Sequence, residues 1–387
     1  MRPLLILTVA AAVSFVGIRS FAPPSPSPDF DLKTFAVGKG PASVEVADVN
    51  HDGKPDLLVA NTEDQTVSVL LGDGKRNFTP APGSPFACGK GPNDIAVADM
   101  NGDGSLDLVI ANTGTPYITI LLGDGRGGFK PSPHSPFATE SHPHVHGVAV
   151  ADFTGDGKPD VATDSWGHDE ILMIPGDGQG NLVLPGTAFH TGKRPYQRLR
   201  SADFNKDGHP DIVTTDLGGN TVTILLGDGK GGFHEPPGSP FAAGVYPWGV
   251  AVDDLNHDGN LDLAVIPYDR DIQDPKQLGV TVLLGDGKGG LAAMPGSPFS
   301  LVGCKGPDRI ATGDINGDGL HDIVVSCAQN DKLFLLFGSR DGGYRILTRD
   351  VQTGWSGLAV ADLDADGKDD IIVSNNSLGT VTILFGK

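Results

Sequence analysis

The chain has 387 residues, and its 55 Gly and 30 Pro exceed ordinary usage of roughly 7% and 5%. Its 48 acids against 28 bases give a formal charge of −20, and 43 of the acids are Asp while only 5 are Glu. Asp favours turns and hard cations where Glu favours helices, so a mostly helical fold is disfavoured, as is nucleic acid as a partner; hydrophobics at 39% argue against disorder.

At the N-terminus, Met1 and Arg2 precede a mostly apolar run from Leu4 to Ile18. Ser20-Phe21-Ala22 follows, and then alternating Pro and Ser as far as Pro28. Residues 1–22 read as a secretory signal peptide or an uncleaved anchor, and 23–29 as a stiff Pro/Ser linker. The expected location is secreted, periplasmic or cell-surface. No other run reaches the roughly 18 apolar residues of a membrane span, so the mature chain has none unless the signal stays on.

From residue 30 the chain repeats. One nine-residue phrase, Asp48-Val-Asn50-His-Asp52-Gly53-Lys-Pro-Asp56, returns from Asp99, Asp152, Asp203, Asp254, Asp314 and Asp362, at spacings of 51, 53, 51, 51, 60 and 48. In the first unit an alternating run, Val44 to Ala47, enters this loop and Leu57 to Ala60 leaves it. Val67 to Leu71 then meets a Gly-Asp-Gly turn, and a fourth short segment begins near Phe78. Four short strands per unit, with no sustained helical period, is the pattern of a propeller blade. Residues 30–387 are therefore expected to form one all-β domain, a seven-bladed β-propeller. The last unit stops after its third strand, at Leu384-Phe385-Gly386-Lys387. The segment from Phe30 to Gly38 is expected to supply the missing fourth strand and so remove an open sheet edge.

Within each phrase, positions 1, 3, 5 and 9 offer side-chain oxygens, position 7 a backbone carbonyl, and Gly at 6 a sharp turn. The expected ligands are Asp48, Asn50, Asp52 and Asp56 in the first loop, and Asp99, Asn101, Asp103 and Asp107 in the second. The third has Asp152, Thr154, Asp156 and Asp160, and the fourth Asp203, Asn205, Asp207 and Asp211. The fifth has Asp254, Asn256, Asp258 and Asp262, the sixth Asp314, Asn316, Asp318 and Asp322, and the seventh Asp362, Asp364, Asp366 and Asp370. An all-oxygen set suits Ca²⁺, up to seven ions, one per loop; Zn²⁺ would want His or Cys at those positions. The alternative is an Asp-Gly turn held by Asx bonds without an ion.

Gly123 to Gly128, Gly227 to Gly232 and Gly285 to Gly290 match the dinucleotide pattern G-x-G-x-x-G. That pattern needs a helix after it, and here a short extended segment follows, so these read as hairpin turns with no nucleotide expected.

The units resemble FG-GAP/VCBS repeats, as in the propeller heads of integrin α chains, fungal seven-bladed lectins and secreted bacterial proteins. The acidic loop carries the resemblance in all seven units. A looser Phe…Gly…Pro box precedes most loops, as in Phe35/Gly38/Pro41 and Phe86/Gly89/Pro92, with Glu140 in place of Gly in the third unit. The resemblance implies a propeller, Ca²⁺ in the loops and an extracellular binding or adhesion role.

The acidic loops and Gly-Asp-Gly turns fall on one face. On the other, the residues entering each blade include His142, His144, His146, Tyr196, Arg198, Tyr246, Trp248, Asp308, Arg309 and Trp355, with Trp166 nearby and an insertion from Tyr268 to Asp274. Aromatic, Arg and Asp side chains at a concave mouth suit a sugar or peptide, so the expected partner is a glycan or an extracellular protein. Ordinary solvated loop residues are the bland alternative. The His triplet could hold a transition metal if its rings share one strand face. A propeller-scaffold enzyme such as a polysaccharide lyase, using His144, His146, Tyr196 and Arg198, is a second reading, and a purely structural module a third. Cys304 and Cys327 fall on this same face, where a disulfide would leave Cys88 free.

Overall fold

Each repeat supplies one apolar run flanked by alternating ones, and the computed structural model turns this pattern into seven antiparallel sheets. It describes residues 29–268, 272 and 274–387, the side chains at 197, 198 and 275 excepted. The segments expected to be a signal and a linker therefore lie outside the described residues, apart from Asp29. The first blade comprises Pro41–Ala47, Asp56–Asn61, Thr66–Gly72 and an outer strand in two pieces, Phe78–Pro80 and Phe86–Ala87. The inner strands of the following blades are Pro92–Ala98, Val148–Ala151, Pro195–Ala202, Pro247–Asp253, Pro307–Gly313 and Leu358–Ala361. They neighbour one another in a ring around a central channel. Among the described residues, a 3-10 turn at Pro275–Gln277 is the one helical element, and no helix is long and apolar enough to cross a membrane.

The ring closes as the repeat count requires. Phe30–Ala36 pairs antiparallel with Thr380–Gly386 in an unbroken register, from Phe30 opposite Gly386 to Ala36 opposite Thr380. It is the fourth strand of the seventh blade.

The hydrophobic core is divided into seven clusters, one at each interface between adjacent blades. The second strand of every blade is buried along its whole length because both its faces are covered. Strand alternation sends its side chains to opposite neighbours. Leu58 and Ala60 pack toward blade two, while Leu57 and Val59 pack toward blade seven.

The outer strand differs from the single short segment expected. In blades one, two, four and five it is split by a Ser-Pro pair. The serine replaces a ladder partner: Ser84 Oγ accepts from the Val69 amide at 2.9 Å, Ser135 from Ile120 at 3.0 Å and Ser297 from Val282 at 2.9 Å. Proline has no N–H and ends strand pairing, so a hydroxyl beside it satisfies the amide left over.

Cys304 and Cys327 form a disulfide with Cα atoms 5.4 Å apart, joining the entry of blade six to the end of its second strand. Cys88 is free and buried, and burial pushes its thiol up to about 12.

The last residue of the second strand reports on local polarity. Asn61 Nδ2 donates to Thr66 and Ser68 hydroxyls, and Asn112 Nδ2 to the Thr119 hydroxyl at 2.8 Å. Blade four has Asp216 there, accepting from Thr221 and Thr223 hydroxyls at 2.9 and 2.7 Å. Burial pushes this carboxyl up to about 7. Its folded value lies above the unfolded one near 3.9, so between those values the folded state holds a proton that the unfolded chain has lost. Its contribution to stability therefore falls as pH rises from about 4 to 7. Asp216→Asn is expected to add about 1–3 kcal/mol at pH 8 and little at pH 4. Denaturant melts at the two pH values check it, and an equal effect at both would show that ionisation of Asp216 is not the cause.

Candidate functional site

Each acidic loop is built by its own carboxylates. In the first, Asp48 accepts from the Asp52 and Gly53 amides and Asn50 Oδ1 from the Asp52 amide, which curls the loop around one point. The ninth-position Asp turns inward and is fully buried. Asp56 takes the Val49 amide on Oδ2 at 3.0 Å and the Gly72 amide on Oδ1 at 2.9 Å, tying the loop to the end of the third strand. Asp107, Asp211 and Asp370 repeat both bonds.

The Gly that starts the Gly-Asp-Gly turn is needed for this approach. A Cβ on Gly72 would sit 2.2 Å from the Pro55 carbonyl oxygen, and on Gly123 2.2 Å from that of Leu106. In the turn itself, Asp124 accepts from the Arg126 and Gly128 amides, so those donors serve the hairpin.

Burial lifts the ninth-position carboxyls, to about 6 for Asp107, Asp211 and Asp262, about 7 for Asp370 and about 8 for Asp322. An oxygen that accepts one N–H keeps a second lone pair, so this carboxylate can also face a cation. The donor set fits Ca²⁺ most fully in the seventh loop, where Asp362, Asp364 and Asp370 each offer an oxygen within 4.8 Å of the others. Among the described residues, no other loop brings three carboxylates that close. There Asn, or Thr154 in the third, stands at position 3.

A guanidinium meets the extra charge of the seventh loop. Arg76, from the blade-one turn, pairs with Asp364, reaches Asp366 at 3.1 Å and the Gly386 carbonyl at 2.9 Å, and lies over the Phe385 ring. Arg76 holds a left-handed φ of 67° where sister turns have Gly127 and Gly231.

On the opposite face, rings from blades three to five join in one row. His144 and His146 have centroids 4.5 Å apart, and His146 lies 4.2 Å from Tyr196. Trp166 contacts both histidines and Tyr196. Tyr196 is 5.3 Å from Trp248, which stacks on Tyr268 at 4.5 Å. Arg194 covers the Trp166 ring.

Trp248, 7% exposed, is thus a floor between two tyrosines rather than an open platform. Tyr246 and Trp355, at 37% and 43%, present open aromatic surfaces. Asp308 and Arg309 pair at 2.9 Å and staple blades together. Asp308 accepts the Ser356 amide of blade seven at 2.9 Å, and Arg309 donates to the Ala42 carbonyl of blade one at 3.2 Å. The side chain of Arg198 and residues 269–271 and 273 of the insertion lie outside the described residues. Below the mouth, a cavity of about 370 Å³ is lined by Glu45, Arg200 and small side chains such as Ala251, Ala311 and Ala359.

Sequence reading missed the residue that organises the histidines. Asp164 is buried at the end of the second strand of blade three. It accepts the His146 and Gly147 amides on Oδ1 at 2.7 and 2.9 Å, and faces His146 Nδ1 with Oδ2 at 3.0 Å. The signal was present, since Ala60 and Ala111 occupy that place in the first two blades. His146 Nε2 in turn lies 3.0 Å from His144 Nε2, while His142 stacks on His168. Burial, and then His146, hold the His144 imidazole below its ordinary value, and burial raises the Tyr196 hydroxyl.

A profile described as FG-GAP-like repeat matches residues 48–110, 99–163, 203–265 and 314–373. Phosphatidylinositol-glycan-specific phospholipase D of Mus musculus is 34% identical over 187 residues, 40% of this chain and 22% of that protein. Cartilage acidic protein 1 of Xenopus tropicalis is 25% identical over 183 residues, 45% of this chain and 28% of that protein. The chain matches only these smaller shares, 22% and 28%, of its curated relatives' length. Among solved structures, a functionally unknown protein from Desulfotomaculum acetoxidans has a TM-score of 0.56 at 15% identity, over 87% of this chain and 90% of that one. A catalytically inactive virginiamycin B lyase from Staphylococcus aureus, with quinupristin, has 0.53 at 13%, over 92% and 99%. These two likenesses concern the fold alone. With the repeat profile matching more than half its residues and seven such units closing one ring, the chain belongs to the FG-GAP-like repeat family.

Proposed function

We propose that this propeller is an extracellular binding module, held by Ca²⁺ in its acidic loops, whose channel mouth takes a glycan or a segment of an extracellular protein. The observation that carries this reading is the ring row of blades three to five, with the open faces of Tyr246 in blade five and Trp355 at the entry of blade seven. Flat rings stack on the apolar faces of sugars, and polar groups between them fix orientation. The relatives' names, a phosphatidylinositol-glycan phospholipase and a cartilage protein, fit a glycan or matrix setting.

Binding of the full chain to a glycan and matrix-protein array tests it. Tyr246→Ala and Trp355→Ala are expected to weaken the bound partner about tenfold each, with unchanged melting temperature, because both rings lie outside the buried clusters. Binding that ignores both substitutions would move the site away from the mouth.

The Asp164–His146–His144 chain favours an enzyme as second reading, since a carboxylate-oriented imidazole is the usual form of a general base. Turnover of a uronic-acid polymer, lost in His144→Gln, would establish it.

A further inference from the structure

We propose that His144 and His146 form a binding site for one divalent first-row transition ion, of which Zn²⁺ is the type. It is separate from the oxygen-lined acidic loops on the other face, and it goes beyond the glycan or protein reading.

The two Nε2 atoms face each other at 3.0 Å. Two imidazoles on one tetrahedral ion, at bonds of about 2.0–2.1 Å, place their nitrogens about 3.3 Å apart, so the pair needs to open by only a few tenths of an ångström. Imidazole nitrogen is the ligand type that such ions select over Ca²⁺.

The inner histidine is already oriented for the task. Asp164 Oδ1 takes the His146 and Gly147 backbone amides, which leaves Oδ2 for the ring, 3.0 Å from Nδ1. His146 therefore carries its proton on Nδ1, and its Nε2 presents a lone pair outward. A carboxylate behind a ligating histidine fixes its tautomer and raises its basicity. His146 is 2% exposed, so its ring cannot swing away, and the Asn93 side chain holds the backbone beside it through the His146 carbonyl at 2.9 Å.

His144 is half-buried and reaches the ion position from the solvent side. In the metal-free pair its Nε2 donates to His146; ligation requires only that its proton sit on Nδ1 instead. Trp166 and Tyr196 wall the site, and His144, the more exposed of the pair, gives its solvent side. Water or an oxygen of a bound partner would fill the remaining coordination positions.

The test is titration of the full chain with Co²⁺, an optical stand-in for Zn²⁺, in a large excess of Ca²⁺ that saturates the acidic loops. One equivalent is expected to bind with visible absorption bands of nitrogen-ligated Co²⁺, and Zn²⁺ is expected to displace it. His144→Gln, a half-exposed position, should weaken binding about tenfold or more while leaving the melting temperature unchanged, and Asp164→Asn by about 10–100-fold. Absence of Co²⁺ binding under excess Ca²⁺, or a His144→Gln chain that binds as tightly as the parent, would overturn the proposal.

Discussion

Withdrawal of Ca²⁺ with EGTA is expected to lower the melting temperature of the full chain by about 10 °C or more. A site filled at a hundredfold excess over its dissociation constant stabilises the folded state by about 2.7 kcal/mol, and about four such sites suffice for the shift in a chain of this length. The seventh loop should contribute most, because its three carboxylates lie closest. Asp364→Asn should accordingly reduce the EGTA effect without removing it. Calorimetry with and without chelator decides the matter, and an unchanged melting temperature would leave the loops as Asx turns that need no ion.

Removal of residues 30–36 is expected to have a still larger effect, converting the closed ring into larger oligomers or aggregate. The strand Phe30–Ala36 makes seven register pairs with Thr380–Gly386, and its Phe30 is buried between blades six and seven. Without it, Thr380–Gly386 becomes an open edge carrying Val381, Ile383 and Phe385, and such edges recruit other strands. Light scattering and size-exclusion chromatography would report the change; a truncated chain that elutes and melts like the parent would show that closure is not what holds the ring.

Blade number, closure and loop placement were legible because they follow from local repetition: one acidic phrase per blade and one strand missing from the last. The split outer strand was not, since Ser84 and Pro85 resemble any turn until the Val69 amide is seen to need a partner. The mouth was half legible. The aromatic residues could be placed on one face by strand counting, but not sorted into floor and surface, because the burial of Trp248 depends on Tyr196 and Tyr268 from separate segments. Two departures from the repeat carried more information than the repeat itself. Arg76 replaces a turn Gly, Asp364 replaces a loop Asn, and the two side chains meet across the seam between blades seven and one. Asp164 is a third departure, a charge on a strand that is otherwise apolar or neutral at that place, and it marks the histidine pair.

The closing strand also sets an order of events during synthesis. Thr34 and Thr382, whose hydroxyls lie 3.0 Å apart across the seam, are separated by 348 residues. At ribosomal rates of about 5–20 residues per second, Phe30–Ala36 waits about 20–70 s for its partner strand to be made. Among the described strands, the one translated earliest thus pairs only with the one translated last. Throughout that interval an amphipathic segment must be kept from pairing with the wrong edge, so conditions that slow translation should penalise this protein more than a chain of similar length built from local contacts.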